Sequence, residues 1–258
     1  MRVKIRIDLI FVMGMSLIAI RMDAQQIKES NNKKRNMEES VYEVNRLEGK
    51  IRIDGVWDKE VWENVPSLEI ENYIGDKPQF LPTTFAKLLY DDENIYGIFL
   101  VEDRFVQCLV QETNGHVSGD SCVEFFFSPD NSKPLFYFNL EINCGGVPLM
   151  QFVTVPRKEY LFLKEKDISK VEIAHSMHKM VFPEIEEDTV WTIEFKLPLK
   201  ILKKYTAITH PESGVKWTAN FYKTASTTSN PHYLTWSKVD NSIPDFHLPQ
   251  FFGTLVFK

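Results

Sequence analysis

Two stretches of the chain carry carboxylates and amides at alternate positions. One runs from residue 121 to 128 and the other from residue 136 to 144, and both alternate with the period of two that is typical of β-strands. On neighbouring strands such side chains lie next to each other, where they can exchange hydrogen bonds with the hydroxyl groups of a ligand. The polar residues expected on this surface are Glu124, Asn139, Glu141 and Asn143.

Aromatic residues are concentrated near the end of the sequence. Residues 244–253 include two prolines, three phenylalanines, a histidine and a glycine, a composition that favours a rigid loop over a helix. A sugar presents apolar C–H faces as well as hydroxyl groups, so a sugar site needs an aromatic surface beside carboxylates and amides. The alternative is a solvated polar sheet surface with aromatic residues packed beneath a loop. The residues predicted to form a carbohydrate site are Glu124, Glu141, Asn143, Tyr222, Trp236, Phe246 and His247.

Glu124 and Glu141 also raise the question of catalysis, because two carboxylates suffice for glycoside hydrolysis when they flank the scissile bond. Nothing near them in the sequence indicates a raised pKa, and the chain contains no Gly-x-Ser-x-Gly nucleophile motif. We therefore expect binding without catalysis. A glycoside hydrolase that uses this pair is the less favoured alternative.

Oxygen ligands suitable for calcium occur in two loops. Asp91 and Asp92 lie in a turn between two predicted strands, and Asp120 directly precedes another. These three residues predict a structural calcium site, with solvated turns as the alternative. No cofactor is expected to be required.

Three cysteines, Cys108, Cys122 and Cys144, show no Cys-x-x-Cys spacing, so a zinc site is not expected. One disulfide with one spare thiol is consistent with their number. Three buried, unpaired thiols are preferred, since buried cysteine behaves as a small apolar side chain.

The N-terminal residues indicate export. Basic residues precede an apolar run from Leu9 to Ile20, which ends near Ala24, and this order predicts a signal peptide at residues 1–24. An uncleaved anchor is the alternative. A polar, flexible leader is expected at residues 25–40. Nothing later in the sequence approaches the roughly 20 apolar residues of a membrane span.

The net charge of the exported protein disfavours some classes of binding partner. Removal of the signal peptide takes away four basic and two acidic residues, which changes the formal net charge from −6 to −8. Such a chain does not favour nucleic acid or an anionic membrane surface. Periplasmic, extracellular and cell-surface locations are all consistent with this composition.

The remaining pattern predicts one β-rich domain at residues 41–258. Segments with helical spacing are confined to a short stretch near residues 56–64, where Trp57 and Trp62 are expected to fill an edge of the core, and another near 199–204. Without helices long enough to cover a parallel sheet, the expected fold is all-β, an antiparallel, jelly-roll-like sandwich. Strands are predicted at residues 84–90, 95–101, 121–128, 136–144, 171–180, 190–197, 216–224, 233–236 and 254–257.

Six short motifs occur in an order that resembles the carbohydrate-binding modules of family 9, over about residues 48–258. Among these the chain looks like the exported proteins of Bacteroidetes in which such a domain forms nearly the whole mature chain. The motifs are Ile53–Trp57 with Trp62, Leu89–Tyr96, Gly119–Phe127, Trp191–Glu194, Trp217–Lys223 and Pro249–Gly253.

The resemblance implies a sandwich whose cleft grips a sugar between two aromatic rings, as in members that bind the reducing ends of glucans and xylans. Glu124 and Asn143 match polar positions of the family, and Glu141 stands where an arginine can occur. Phe246 falls near one ring of the clamp. Where the other ring should precede Asp120, this chain has His116-Val-Ser-Gly. Family members also carry structural calcium.

Two further functional expectations follow. The resemblance implies a role beside glycoside hydrolases in polysaccharide breakdown. Residues 158–188 exceed what the family core needs, and we expect a loop over the binding face or a docking surface for another protein. The alternative to a sugar-binding module is an adaptor or structural sandwich that has lost its sugar site.

Overall fold

The computed structural model describes residues 40–130 and 132–258, in which β-strands account for most of the regular structure. The predicted signal peptide and all but the last residue of the predicted leader lie outside these residues. The strands are β1 (Val41–Arg46), β2 (Leu68–Glu69), β3 (Asn72–Tyr73), β4 (Thr83–Tyr90), β5 (Asn94–Asp103), β6 (Val106–Cys108), β7 (Cys122–Ser128), β8 (Tyr137–Asn143), β9 (Pro148–Val155), β10 (Glu159–Phe162), β11 (Glu172–His175), β12 (Val181–Ile185), β13 (Thr189–Pro198), β14 (Lys216–Thr224), β15 (Tyr233–Thr235) and β16 (Gly253–Phe257).

Helical structure is limited to short turns. The α-helices are α1 (Glu60–Glu63), α2 (Glu165–Ile168) and α3 (Leu199–Leu202), and single 3₁₀ turns span Val117–Gly119 and Pro249–Phe251. Within the described part of the chain, no helix has the length and apolar character needed to cross a membrane. Helices α1 and α3 confirm the two predicted helical stretches, whereas α2 was not predicted.

Most of the strands form two curled sheets that share strand β1, while β6 and β12 pair in a separate two-stranded sheet. Sheet A has the order β10-β9-β8-β7-β14-β16-β1, and sheet B continues as β1-β4-β5-β13-β11. Strand β1 is parallel to β16 through Val41–Val44 and parallel to β4 through Asn45–Arg46, while the other strand pairs are antiparallel. The predicted sandwich is confirmed, with one parallel strand at the junction as the departure from a purely antiparallel arrangement.

Aromatic side chains fill the space between the sheets. Phe221 of sheet A lies 6.1 Å from Phe99 of sheet B, and Phe125 lies 6.2 Å from Phe195, measured between ring centroids. Phe125 and its neighbours two residues away along β7 point to this side, and the residues between them point to the other face, as the alternation in the sequence predicted. Burial of large rings at the contact between two sheets is the main source of hydrophobic stabilisation in such a fold.

The other face of sheet A is buried as well. All seven residues of β7 and all seven of β8 are buried, although the sequence predicted an apolar face and a polar one. A second apolar cluster covers the polar face and includes Tyr137, Tyr222 and Phe246. The polar side chains of β8 therefore lie beneath a covering segment, residues 233–252, and do not point into bulk solvent.

Several strands were missed or misplaced by the sequence patterns. Strand β11 ends at His175, although the predicted strand continued to residue 180, and β1, β9, β10 and β12 were not predicted. The region 158–188 thus contains three strands and a helix, where the sequence patterns had predicted one strand. All three cysteines are buried with free thiols, which confirms the preferred alternative.

Glu194 explains why the tryptophan-containing motifs near the start and the middle of the domain occur together. Its fully buried carboxylate accepts hydrogen bonds from the backbone N–H groups of Asp54 and Gly55 (2.8 Å each) and from Trp62 Nε1 (2.9 Å). Lys59 Nζ forms an ion pair with it at 2.7 Å. Gly55 has a φ of 77°, a conformation that favours glycine. These residues hold the loop before α1 against sheet B, and Trp62 fills the core edge as predicted.

A buried ion pair joins the two sheets. Lys223 of β14 and Asp103 of β5 are fully buried, with Nζ and Oδ2 3.1 Å apart. Lys223 Nζ also donates to His232 Nε2 at 2.6 Å, and burial, together with the charge of Lys223, lowers the pKa of His232 to about 3. The imidazole is therefore neutral and acts as the acceptor.

We expect Asp103→Asn to lower the free energy of unfolding by about 3–5 kcal/mol, because it leaves the Lys223 ammonium buried without its counter-charge. The double variant Asp103→Leu/Lys223→Met should lose much less, since no unpaired charge remains. Chemical denaturation of both proteins tests this. The exposed neighbour Glu102, changed to Gln, is the matched control; an equal effect of Asp103→Asn and Glu102→Gln would contradict the proposed role of the pair.

Candidate functional site

A pocket of about 210 Å³ opens on the polar face of sheet A, above strands β7, β8 and β14. Its floor comes from the sheet, and its walls come from the loop before β7, the β9–β10 turn and the covering segment. Four of the seven predicted sugar-site residues line it: Glu124, Glu141, Phe246 and His247.

Two carboxylates lie side by side in the floor. Glu124 and Glu141 are direct cross-strand partners in the β7–β8 register, and they are 2% and 6% exposed. Glu141 Oε1 accepts a hydrogen bond of 2.8 Å from Asn139 Nδ2. Across residues 40–130 and 132–258, no donor is hydrogen-bonded to the Glu124 carboxylate. A buried carboxylate without a donor is costly, so the pocket presents an acceptor that a ligand can satisfy.

The environment of this pair corrects the expectation that nothing nearby raises its pKa. Burial, reinforced by the neighbouring charge of Glu141, holds the pKa of Glu124 well above its ordinary value. Burial also raises the pKa of Glu141 to about 7, against the lowering effect of the Asn139 hydrogen bond and of Arg157. The pair therefore retains at least one proton at neutral pH and can both donate and accept hydrogen bonds.

Phe246 contributes an aromatic wall, and Tyr222 supports it from below. The two rings stack with centroids 4.1 Å apart, and Tyr222 Oη donates to the backbone carbonyl of Phe246 at 3.1 Å. Tyr222 is fully buried, whereas Phe246 keeps 8% of its surface exposed towards the pocket. Tyr222 thus has a positioning role, and Phe246 is the residue that a ligand can reach.

Two histidines line the pocket. His247 Nδ1 lies 2.7 Å from Tyr137 Oη, and burial, with Arg157 nearby, lowers the pKa of His247 to about 4. Its imidazole is neutral at physiological pH and can serve as a polar, planar wall. His116 lies in the loop before Asp120, where the resemblance placed a second aromatic ring. This chain has an imidazole at the corresponding wall.

Arg157 brings the positive charge of the site. It lies in the β9–β10 turn, and its guanidinium bonds to Asp245 Oδ1 through Nε (3.0 Å) and Nη2 (2.5 Å). Its φ is 62°, a left-handed conformation that costs a non-glycine residue roughly 1–2 kcal/mol. The ion pair with Asp245 links the turn to the covering segment and places the guanidinium at the pocket.

Trp236 and Asn143, which the sequence analysis assigned to a carbohydrate site, do not line this pocket. Trp236 packs edge-to-face against Phe221, with centroids 5.7 Å apart, on the side of β14 that faces the core. Asn143 is fully buried beside Asp120, where its Nδ2 donates to Asp120 Oδ2 at 2.9 Å and to the carbonyl of Val110 at 3.0 Å. Both residues stabilise the fold.

The carboxylates predicted to bind calcium have protein partners. Asp91 caps its own hairpin turn and accepts from Asn94 N at 2.7 Å; Asp92 pairs with Arg46 at 2.7 Å. Asp120 accepts from the backbone N–H groups of residues 109 and 110 at 2.9 Å each. The described residues contain no group of three or more His, Cys, Asp or Glu side chains that could hold a metal ion. Calcium binding by this chain stays a prediction.

The sequence profile of Carbohydrate-binding family 9 matches residues 56–257. The chain belongs to this family. The pocket brings together Glu124 and Phe246, two positions taken from the family resemblance.

Solved structures share the family 9 fold. A candidate carbohydrate-binding protein from Bacteroides uniformis ATCC 8492 superposes with a TM-score of 0.77 at 23% identity, over 86% of this chain and 100% of that one. A family 9 module from Caldicellulosiruptor kristjanssonii superposes with a TM-score of 0.58 at 15% identity, both in complex with cellotriose (85% and 94% of the chains) and with glucose (85% and 96%). No curated protein matches the sequence.

Sequence patterns missed the parts of the family 9 pocket that come from loops. Arg157 and Asp245 are 88 residues apart and meet only in the folded chain. Thr224 lies two residues after Tyr222 on β14. The period of two places both side chains on the same face, so this local signal could have identified Thr224. Ser118, Ser226 and Tyr233 bring further hydroxyl groups to the lining.

We expect the free energy of unfolding to fall as the pH rises from about 6.5 to about 8. In this window the unfolded chain has already lost both glutamate protons, whereas the folded chain holds the proton of Glu124 and releases that of Glu141 only as the pH passes about 7, because both folded-state pKa values are raised. His232 and His247, whose pKa values are lowered, give the opposite slope only below about pH 6.5. Denaturation at a series of pH values measures the slope.

The control for this prediction is Glu124→Gln, which removes one titrating group while keeping the shape of the side chain. Its slope over the same window should be smaller than that of the wild type. Identical slopes in the two proteins would contradict a buried, protonated carboxylate pair.

Proposed function

We propose that this family 9 chain binds carbohydrate in the pocket above β7, β8 and β14 without cleaving it. The observation that carries the proposal is the Glu124 carboxylate, which is 2% exposed, lines the pocket and lacks a donor within residues 40–130 and 132–258. A sugar hydroxyl can supply the missing hydrogen bond. The solved family 9 complexes with glucose and cellotriose support this class of ligand.

The pocket offers the two kinds of contact that a pyranose requires. The ring of Phe246 can pack against the apolar C–H face of the sugar. Because the raised pKa values keep at least one proton on Glu124 and Glu141, the pair can donate to one hydroxyl group and accept from the next, and the Arg157 guanidinium adds donors at the rim. An imidazole at His116 in place of a second large ring favours polar contacts on that side.

The placement of the carboxylates favours binding over hydrolysis. Direct cross-strand partners have Cβ atoms about 5 Å apart and project from the sheet in the same direction. Glycoside hydrolysis needs an acid and a nucleophile or base that flank the scissile bond from different sides. The side chains of Glu124 and Glu141 project from the same face of sheet A, so both would contact a bound sugar from the same side.

Export and a role in polysaccharide breakdown complete the proposal. The N-terminal sequence supports a periplasmic or extracellular location, and binding without cleavage suits a protein that presents glycans to separate glycoside hydrolases. An adaptor without a sugar site is the second candidate.

A glycan array of plant, microbial and host oligosaccharides tests the proposal. We expect binding to a defined series, with a loss of about tenfold or more in Glu124→Ala, because the hydrogen-bonding oxygens of the carboxyl group are removed. Phe246→Leu should weaken binding while keeping apolar packing on Tyr222. Glu102→Gln, an exposed carboxylate of sheet B, is the control and should bind as the wild type does.

Two results would contradict the proposal. If the folded wild-type protein binds no oligosaccharide on the array, the alternative of an adaptor protein without a sugar site is favoured. Shortened oligosaccharides, detected by mass spectrometry after incubation with the wild type but not with Glu124→Gln or Glu141→Gln, would identify a hydrolase.

A further inference from the structure

Strand β10 exposes two aromatic rings at the edge of sheet A. Tyr160 and Phe162 are 48% and 47% exposed, and their ring centroids lie 5.8 Å apart at an interplanar angle of 87°. Large aromatic side chains are normally buried or used for contacts, so an exposed pair on an edge strand calls for a ligand or a partner.

The strand register places both rings on the face that carries the pocket. Phe162 pairs with Gln151 of β9, and Gln151 pairs with Asn139 of β8. Asn139 lies two residues from Glu141 and therefore on the same face. Tyr160 reaches this face in the same way, through Val153 and Tyr137. Leu161, between the two rings, points to the opposite face.

A continuous polar path connects the pocket to this edge. Asn139 Nδ2 donates both to Glu141 Oε1 (2.8 Å) in the floor and to Gln151 Oε1 (3.0 Å). Gln151 is partly exposed and is the register partner of Phe162. With strands about 4.8 Å apart and residues about 3.4 Å apart along them, roughly 12 Å separate Glu141 from Phe162, which exceeds the length of a single pyranose ring.

The β9–β10 turn connects the pocket with the exposed edge strand β10. Arg157 lines the pocket from this turn, and Glu159 begins the strand that carries Tyr160 and Phe162. A chain of sugars leaving the pocket beside Arg157 would meet the aromatic pair next.

We propose that Tyr160 and Phe162 form a second aromatic surface for the same glycan chain, so that the ligand is an oligosaccharide or polysaccharide that extends from the pocket to the edge of sheet A. This proposal rests on the proposed function. Stacking of sugar faces on the exposed rings would add to the contacts in the pocket, and the partly exposed Gln151 amide lies along the path between them.

The alternative to a glycan at this edge strand is a second copy of the chain, which would pair with β10 through backbone hydrogen bonds. The glycan is favoured because the two rings share a face with the pocket and with the polar path. Backbone pairing would not require aromatic side chains on that face.

Isothermal titration with glucose, cellotriose and cellohexaose, and in parallel with xylose, xylotriose and xylohexaose, tests the extended site. We expect the affinity of the wild-type protein to increase with chain length. The variant Tyr160→Ala/Phe162→Ala should lose about tenfold in affinity for the hexasaccharide while its affinity for the monosaccharide is unchanged. Leu161→Ala is the matched control on the opposite face and should leave every affinity unchanged.

The outcomes separate this proposal from the one on which it depends. Failure of the wild type to bind any of the six sugars would overturn the sugar-binding pocket and the extension together. Binding with the same length dependence in the wild type and the double variant, or an equal loss in Leu161→Ala, would overturn the extension alone. Sedimentation velocity on the same samples adds a further outcome: dissociation of a dimer in the double variant, with sugar affinity unchanged, would assign the edge to a second copy.

Discussion

Burial of both faces of strand β7 is the constraint on which the rest of the structure depends. Phe125 and Phe127 face the other sheet, while Glu124 and Phe126 face the covering segment. A carboxylate at such a position has little access to water, so its ionised form is disfavoured unless a partner is supplied. The raised pKa values of the carboxylate pair, the neutral histidine of the wall and the small size of the pocket all follow from this cover.

Other polar side chains beneath the covering segment have hydrogen-bond partners that Glu124 lacks. Asn220 donates through Nδ2 to the carbonyl of Ser237 at 2.9 Å and accepts from the backbone N–H of the same residue at 2.8 Å. This pair of bonds fixes the covering segment to β14. The buried amides of Asn139 and Asn143 have partners as well. Glu124 differs from these amides because no donor within residues 40–130 and 132–258 is hydrogen-bonded to its carboxyl group.

How far the sequence predicted the fold and the site depended on whether the pattern was local. Alternation along β7 and β8 is a local signal, and it assigned Glu124 and Glu141 to one face correctly. Trp236 does not line the pocket because it follows Thr235, the register partner of Tyr222, and so lies on the core side of β14; the sequence alone did not give this register. Arg157 was missed because its meeting with Asp245 is a property of the tertiary structure. Burial of the polar face could not be predicted either, since a covering loop leaves no period in the strands beneath it.

Strand β1 has a mechanical consequence through its direction. It runs parallel to β16 and to β4, with different residues paired to each sheet. A force that pulls residue 40 away from residue 258 would slide β1 along β16, so the hydrogen bonds between them would carry the load together, in shear. Antiparallel hairpins pulled at their open end separate one bond at a time. A chain loaded between these two points would therefore resist tension through its shared strand, whereas the edge strands of either sheet could be peeled away much more easily.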